Sequence, residues 1–207
     1  MKAFILGIIV TLPCVAIAVY MYFSTGMAPV ATSAQAMPFE KRLANMALRA
    51  RVQKEMPKNP PMQPTEADYT AAAHEYVEHC AICHGLPGKD ATAMADGMFP
   101  KPPQLFKGKG VTDNPVGETY WKIQNGIRLS GMAAFKGHLS DSETWQVAFL
   151  LANANKLPAS VQSYLQSQEI SAHGMGESEH AEREAAAQGQ QAQGSKAPKA
   201  APDHHHH

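Results

Sequence analysis

Cysteine is scarce in this chain: only positions 14, 80 and 83 carry it among 207 residues. A small secreted fold stapled by disulfides needs a denser, even set, so that class is excluded and the Cys80/Cys83 pair needs another explanation. Net charge is absent as well, since eighteen Lys and Arg balance eighteen Asp and Glu. No basic excess marks the chain for nucleic acid, and no nucleic-acid partner is expected. The period-two alternation of strands is missing, which leaves an all-α reading. Charge is missing again from Ala3 to Phe23, and aromatic residues are missing beyond Gln168.

The uncharged run comes first. As a helix, Ala3–Phe23 would be roughly 31 Å long at about 1.5 Å per residue, close to the roughly 30 Å of bilayer hydrocarbon. Lys2, the only nearby charge, favours an N-terminus in the cytoplasm and export of the rest. Tyr20 and Tyr22 suit the headgroup zone at the outer end. A cleaved leader is the rival, and Ala34-Gln35-Ala36 resembles a cleavage site. That site lies well past Phe23, however, and the apolar run exceeds the usual leader core of about 7–15 residues. Residues 1–23 are therefore expected to be an uncleaved, single-pass anchor in the inner (cytoplasmic) membrane, with the remainder on the periplasmic side. Cys14 follows Leu12-Pro13, and proline poorly fits the small residue a lipoprotein signal requires there. A plain apolar cysteine within the helix is the better reading.

Residues 24–64 read as a linker. Glu40–Glu55 is rich in helix formers, with Leu43, Met46, Ala47 and Ala50 sharing one face. Two readings stand: an amphipathic helix lying on the membrane surface or a partner, or a marginal helix within a tether. Pro57, Pro60, Pro61 and Pro64 make the following piece a stiff spacer. A globular domain is expected over 65–167. Its first helix starts at Thr65 with Asp68 three residues on, a capping-box variant, and runs from Glu66 to Ala81. Residues 84–114, rich in Gly and Pro, read as loop. A second helix is expected from about Pro115 to Asn125, stopping at Gly126. A third starts with the capping box Ser140-Asp141-Ser142-Glu143 and ends near Asn153, and a last turn or two follows at Ala159–Leu165. Composition makes 168–207 a disordered tail. Its His204–His207 run is either a truncated tag or a native metal-collecting end near His173, Met175 and His180.

The chemistry sits at Cys80-Ala81-Ile82-Cys83-His84. Two thiols at this spacing each add to one haem vinyl group, and the histidine directly after the second reaches the iron. A zinc site would want a second Cys/His pair, and no other cysteine exists outside the apolar run. A thioredoxin-like pair would want a βαβ setting, and none is visible. One covalent haem c is the expected cofactor.

With these residues in view, the stretch from 66 to 165 resembles a class I c-type cytochrome. The pieces that carry the likeness are EYVEHCAICHG (75–85), FPKPPQLF (99–106), YWKIQNGIRLSGMAAF (120–135) and LSDSETWQVAFLL (139–151). The resemblance implies a small all-α cytochrome c fold around one haem, with Cys80, Cys83 and His84 binding it. It implies that the loop after the middle helix presents an axial methionine, and Met132 is the residue that matches. Gly126 and Gly131 allow that loop to turn tightly. Met94 and Met98 then read as packing residues, and His74, His79 and His138 as solvated or packed. The last long helix is expected to cross the first, Ala72 and Tyr76 meeting a face with Trp145 and Phe149. The family usually has glycine where Ala72 stands, which implies slightly wider separation. The Pro102-Pro103 segment resembles the one whose backbone carbonyl accepts the proximal histidine's ring N–H, with Pro103 preferred. Arg128 has two readings, partner of a haem propionate or solvated surface cation. Tyr120 and Trp121 are expected to wall the haem pocket or a helix interface.

His84 and Met132 together would fill both axial positions, a ligation that favours electron transfer over bond chemistry and raises the potential. The expected function is a membrane-tethered carrier of single electrons, or a cytochrome subunit of a complex. Partners implied are quinol–cytochrome c oxidoreductase or a periplasmic dehydrogenase as donor, a terminal oxidase or reductase as acceptor, and the lipid bilayer as support. The alternative is a haem enzyme or gas sensor with a labile sixth ligand, of peroxidase or thiosulfate-oxidising type, which would want a polar distal group. A third reading makes the domain a docking module. Within 65–167 eight Lys/Arg face ten Asp/Glu, yet Lys101, Lys107 and Lys109 cluster in one loop, either a patch for an acidic partner or a solvated loop.

Overall fold

Local signals start the helices and a shared apolar core assembles them. The computed structural model describes residues 1–108 and 111–170, in which eight helices and no strand occur. They are α1 (Lys2–Ser24), α2 (Glu40–Glu55), α3 (Glu66–His79), α4 (Ala81–His84), α5 (Ala93–Gly97), α6 (Val116–Asn125), α7 (Asp141–Ala152) and α8 (Ala159–Ser167). The all-α expectation holds. From Ser171 onward the expected tail, with its histidine run, lies outside the described residues. Ile170, assigned to that tail, packs against the core.

Both capping boxes form. Thr65 Oγ1 accepts the Asp68 N–H at 3.3 Å while the Asp68 carboxylate accepts the Thr65 N–H at 2.8 Å. Ser140 and Glu143 repeat the exchange at 3.2 and 2.7 Å. Each pair satisfies two backbone donors that a helix start otherwise leaves orphaned. The first expected helix, Glu66–Ala81, is broken at Cys80, where α3 gives way to the single turn α4. Within the expected loop 84–114 a further turn, α5, forms because Thr92 Oγ1 accepts the Ala95 N–H at 3.1 Å.

α3 and α7 form the main helix pair. Ala72, Ala73 and Tyr76 from α3 are fully buried with Val147 and Leu150 from α7. Burying a side chain such as Leu150 contributes about 1.5–3 kcal/mol. The anticipated partners Trp145 and Phe149 lie on a different stripe. Trp145 stacks on Tyr120 of α6, ring centroids 4.1 Å apart and planes at 20°, and sits 6.1 Å from Phe149. From Thr144 onward α7 is buried or half-buried, one stripe toward α3 and another toward α6, which fits the apolar run Val147–Ala152. α8 closes over α3 through Val161 and Leu165.

The segment before the domain is docked as well as helical. Val52 of α2 is only 2% exposed, and α2 lies against α6. The Glu55 carboxylate accepts the Trp121 indole N–H at 3.3 Å. A side chain at Gly117 of α6 would run into the carbonyl of Pro57, so the absent Cβ is what lets the chain leaving α2 lie on α6. The expected Leu43–Met46–Ala47–Ala50 face is not the docked one: Leu43 and Met46 remain 57% and 61% exposed. α1 has a mean hydropathy of 2.5 and no buried residue, and is long and apolar enough to cross a membrane, a test that an anchor and a signal sequence both pass.

Candidate haem-binding site

α3 and α4 deliver the motif. The break at Cys80 redirects the chain so that Cys83 and His84 fall on a fresh turn, held by the His84 N–H donating to Cys80 O at 2.9 Å. Tyr76 donates its hydroxyl to Gly85 O at 2.8 Å from inside the core. Thr92 donates to Ile82 O at 2.5 Å, and Gln104 Nε2 donates to Cys83 O at 3.4 Å. The carbonyls of Ile82 and Cys83 within the motif and of Gly85 just after it are thus fixed by side chains outside it, a restraint invisible in the five-residue pattern. Only Tyr76 had a signal, its position four residues before Cys80 on the same helix face.

The His84 ring is half-buried, and Nδ1 lies 2.8 Å from Pro103 O. Donation to that carbonyl places the proton on Nδ1 and leaves the other nitrogen as a lone-pair donor. Burial lowers the imidazole pKa while the Pro103 hydrogen bond works against that fall. Neutral imidazole, the form that ligates iron, is the outcome. The return bond from the Leu105 N–H to His84 O at 3.3 Å holds the Pro103 segment in place.

Cys80 and Cys83 are both free thiols. Burial, then the neighbouring Cys83 and Glu75 charges, push the Cys80 thiol up to about 12, and burial raises Cys83 as well. Met132, like Cys80, Phe106 and Phe135, is partly buried and packs against the buried apolar cluster. Its loop is folded back on the end of α6. The Ile127 N–H donates to Met132 O at 3.0 Å, and the Phe135 N–H to Ile123 O at 2.9 Å. Gly126, at φ +62°, makes that return possible, because a Cβ there would lie 2.7 Å from Met132 O, Ala133 C and Ala134 N. Met98 reaches across to touch Gly131, so the α5 loop and the methionine loop meet.

The other candidates disperse. Arg128 is exposed and makes no ion pair among the described residues. His74 bonds to the Tyr164 hydroxyl at 2.8 Å, His79 faces Glu75 at 3.4 Å, and His138 is exposed. Tyr120 and Trp121 serve helix interfaces. Tyr120 donates to Asp141, and burial, followed by that carboxylate, pushes its hydroxyl up to about 12. Lys101 and Lys107 are each paired with an aspartate, Asp96 at 2.9 Å and Asp90 at 3.6 Å, and Lys109 lies outside the described residues. No cluster of three or more His, Cys, Asp or Glu suited to a metal ion occurs among the described residues.

Two unpaired thiols, an imidazole with one nitrogen committed to a carbonyl, and a thioether on the shared apolar cluster form a donor set that suits a thioether-linked haem. The all-helical fold is consistent with a class I c-type cytochrome domain, which implies covalently bound haem c. More particularly, residues 67–150 match the model of cytochrome c oxidase, cbb3-type, subunit III. Among solved structures, a chain of the Kuenenia stuttgartiensis reducing HAO-like protein complex Kustc0457/Kustc0458 is similar, with 27% identity and a TM-score of 0.41. The match covers 47% of this chain and 48% of that one, so the chain spans about half the length of its structural relative. No curated protein matches the chain.

Proposed function

We propose that the protein is a membrane-tethered, monohaem cytochrome c that passes single electrons between respiratory or periplasmic redox partners. The His84 Nδ1–Pro103 O bond of 2.8 Å is the observation that carries this reading, since it presents an oriented, neutral imidazole directly beside two thiols. In the proposal Cys80 and Cys83 would hold the haem through thioether bonds, and His84 and Met132 would ligate its iron. Bound there, the haem supplies a one-electron Fe(III)/Fe(II) couple.

The chain's own residues limit what else can happen. Pro103 fixes the imidazole plane and strengthens donation from the nitrogen opposite. Gly126 and the Ile127 and Phe135 hydrogen bonds hold the Met132 loop down, which opposes exchange of the thioether for water or a small ligand. Phe106 and Phe135 pack against the buried apolar core, and an apolar wall that does not rearrange keeps small the reorganisation that accompanies a one-electron change. α1 anchors the protein in the inner membrane, and the domain works on the periplasmic side as a free carrier or as the cytochrome of a complex. Donors and acceptors are then proteins such as quinol–cytochrome c oxidoreductase, a periplasmic dehydrogenase, or a terminal oxidase or reductase.

Absorption spectra of the oxidised and reduced protein test the ligand set. The expected result is the long-wavelength charge-transfer band of methionine-ligated ferric haem, lost in Met132→Ala, with no carbon monoxide binding by the reduced wild type. Ready carbon monoxide binding by the wild type and no such band would overturn the carrier in favour of a haem enzyme or gas sensor.

A further inference from the structure

α2 carries apolar residues on two opposite sides. At about 100° per residue, Leu43 and Val52 point roughly 180° apart. The side with Leu48, Val52 and Met56 turns toward the domain, and Val52 is buried on it. The opposite side, Leu43, Met46, Ala47 and Ala50, is exposed among the described residues, its two large side chains included. Arg42 and Arg49 border that free face on one flank and Arg51 on the other, while Lys54 continues it by a turn. Arg51 is paired with Glu55 at 2.7 Å, and the only other acid of the helix, Glu40, bonds to the Met37 N–H at 2.8 Å. Arg42, Arg49 and Lys54 make no ion pair among the described residues. Phe39, exposed at the helix entry, is held at φ 65°, a backbone conformation side-chain-bearing residues rarely adopt.

We infer that this free face of α2 lies on an anionic lipid surface, wedging the helix between the bilayer and the cytochrome domain. The inference rests on the reading of α1 as an anchor. Three observations select lipid over a protein partner. Guanidinium and ammonium groups flank an apolar strip, the pattern that sinks a helix into the headgroup boundary while long basic side chains reach phosphates. The linker 24–64 holds six Lys/Arg and two Glu, whereas 65–167 has more acids than bases, so the positive end of the soluble part is the end next to α1. Finally, two large side chains and two alanines fall far short of the roughly 800 Å² per partner that a specific protein interface buries. The same small patch suffices on a bilayer to which residues 25–39 already confine it, because tethering raises its effective concentration there. The domain is thereby held at one orientation over the membrane, α6 toward it through α2, in place of swinging on a free leash.

The test uses the full-length haem-loaded protein with Cys14→Ser, reconstituted in vesicles of phosphatidylcholine with phosphatidylglycerol. An environment-sensitive fluorophore is placed on Met46→Cys or, as a solvent control on the domain, on Lys156→Cys. The expected result is a blue-shifted label at 46, quenched by nitroxide lipids and about fivefold or more less accessible to aqueous iodide than the label at 156. Replacing phosphatidylglycerol by phosphatidylcholine, or adding Leu43→Glu, should return the label at 46 toward water. Equal iodide access at 46 and 156 overturns the inference. Extraction of the protein by alkaline carbonate separates the two layers: an extracted protein refutes the anchor and the inference together. A retained protein with a water-exposed label at 46 refutes the inference alone.

Discussion

His84 donates its Nδ1–H to Pro103 O, but the turn that carries it is also held by residues outside the motif, Tyr76 among them. Tyr76 is wholly buried, and burial followed by the Cys80 charge raises its hydroxyl pKa so far that it stays a donor at every ordinary pH. Its partner, Gly85 O, is equally buried and has the tyrosine as its side-chain donor. Tyr76→Phe keeps the packing and removes the donor. An unsatisfied buried carbonyl costs about 1–3 kcal/mol, and for a domain of this size each kcal/mol lowers Tm by roughly 4–8 °C. Thermal unfolding followed by circular dichroism should show that drop, and an unchanged Tm would mean that water replaces the hydroxyl. Residue by residue, the motif itself was legible because covalent attachment demands a fixed local spacing. Tyr76, Thr92 and Gln104 were not, since their contributions depend on contacts made 9 to 21 positions away along the chain.

Helix ends tell the opposite story from helix faces. The capping boxes at Thr65 and Ser140 were legible because every atom they need lies within four residues. They also give acid sensitivity a location. Hydrogen bonds from Thr65 lower the Asp68 pKa from 3.8, and those from Ser140 lower the Glu143 pKa from 4.5. A depressed carboxylate contributes stability that is present above its unfolded-state pKa and lost as pH falls through the folded value. The caps should therefore weaken below those ordinary values, and Asp68→Ala/Glu143→Ala should be less stable than wild type near pH 7 but close to it near pH 2. Urea midpoints at the two pH values measure this, and a constant gap between the proteins would remove the caps as its cause. The face of α2 that meets the domain, in contrast, was not legible, because two apolar stripes lie on opposite sides and which one docks is decided by α6. Gly117 makes that choice possible. Gly117→Leu should push Pro57 away and release α2, forfeiting the roughly 1.5–2 kcal/mol of Val52 burial. About 1.4 kcal/mol is a tenfold change in an equilibrium, so trypsin cleavage after Arg49 or Lys54 should accelerate about tenfold with the haem spectrum unaltered.

At the scale of the molecule, the proposed arrangement divides three tasks that single residues cannot perform among α1, α2 and the cytochrome domain: confinement, standoff and electron exchange. In the proposed arrangement confinement sets the kinetics. A carrier held in the plane of a bilayer meets a partner in the same bilayer at an effective concentration fixed by geometry, in the millimolar range for short flexible links. Its rate should therefore be insensitive to how much protein is added to the bulk solution. Deleting residues 1–24 removes α1 but leaves the packing of α2 on α6, the Glu55–Trp121 bond and the site intact, because none of them involves that helix. The truncated protein should be soluble with an unchanged haem spectrum and an unchanged rate of reduction by a small chemical reductant. Its exchange with a membrane-bound partner should become first-order in bulk protein and recover the full-length rate only near millimolar concentration. Stopped-flow reduction on vesicles carrying the partner, as a function of truncated protein added, measures this directly. Saturation far below that concentration would show that the domain's own docking affinity, and not the anchor, brings donor and acceptor together.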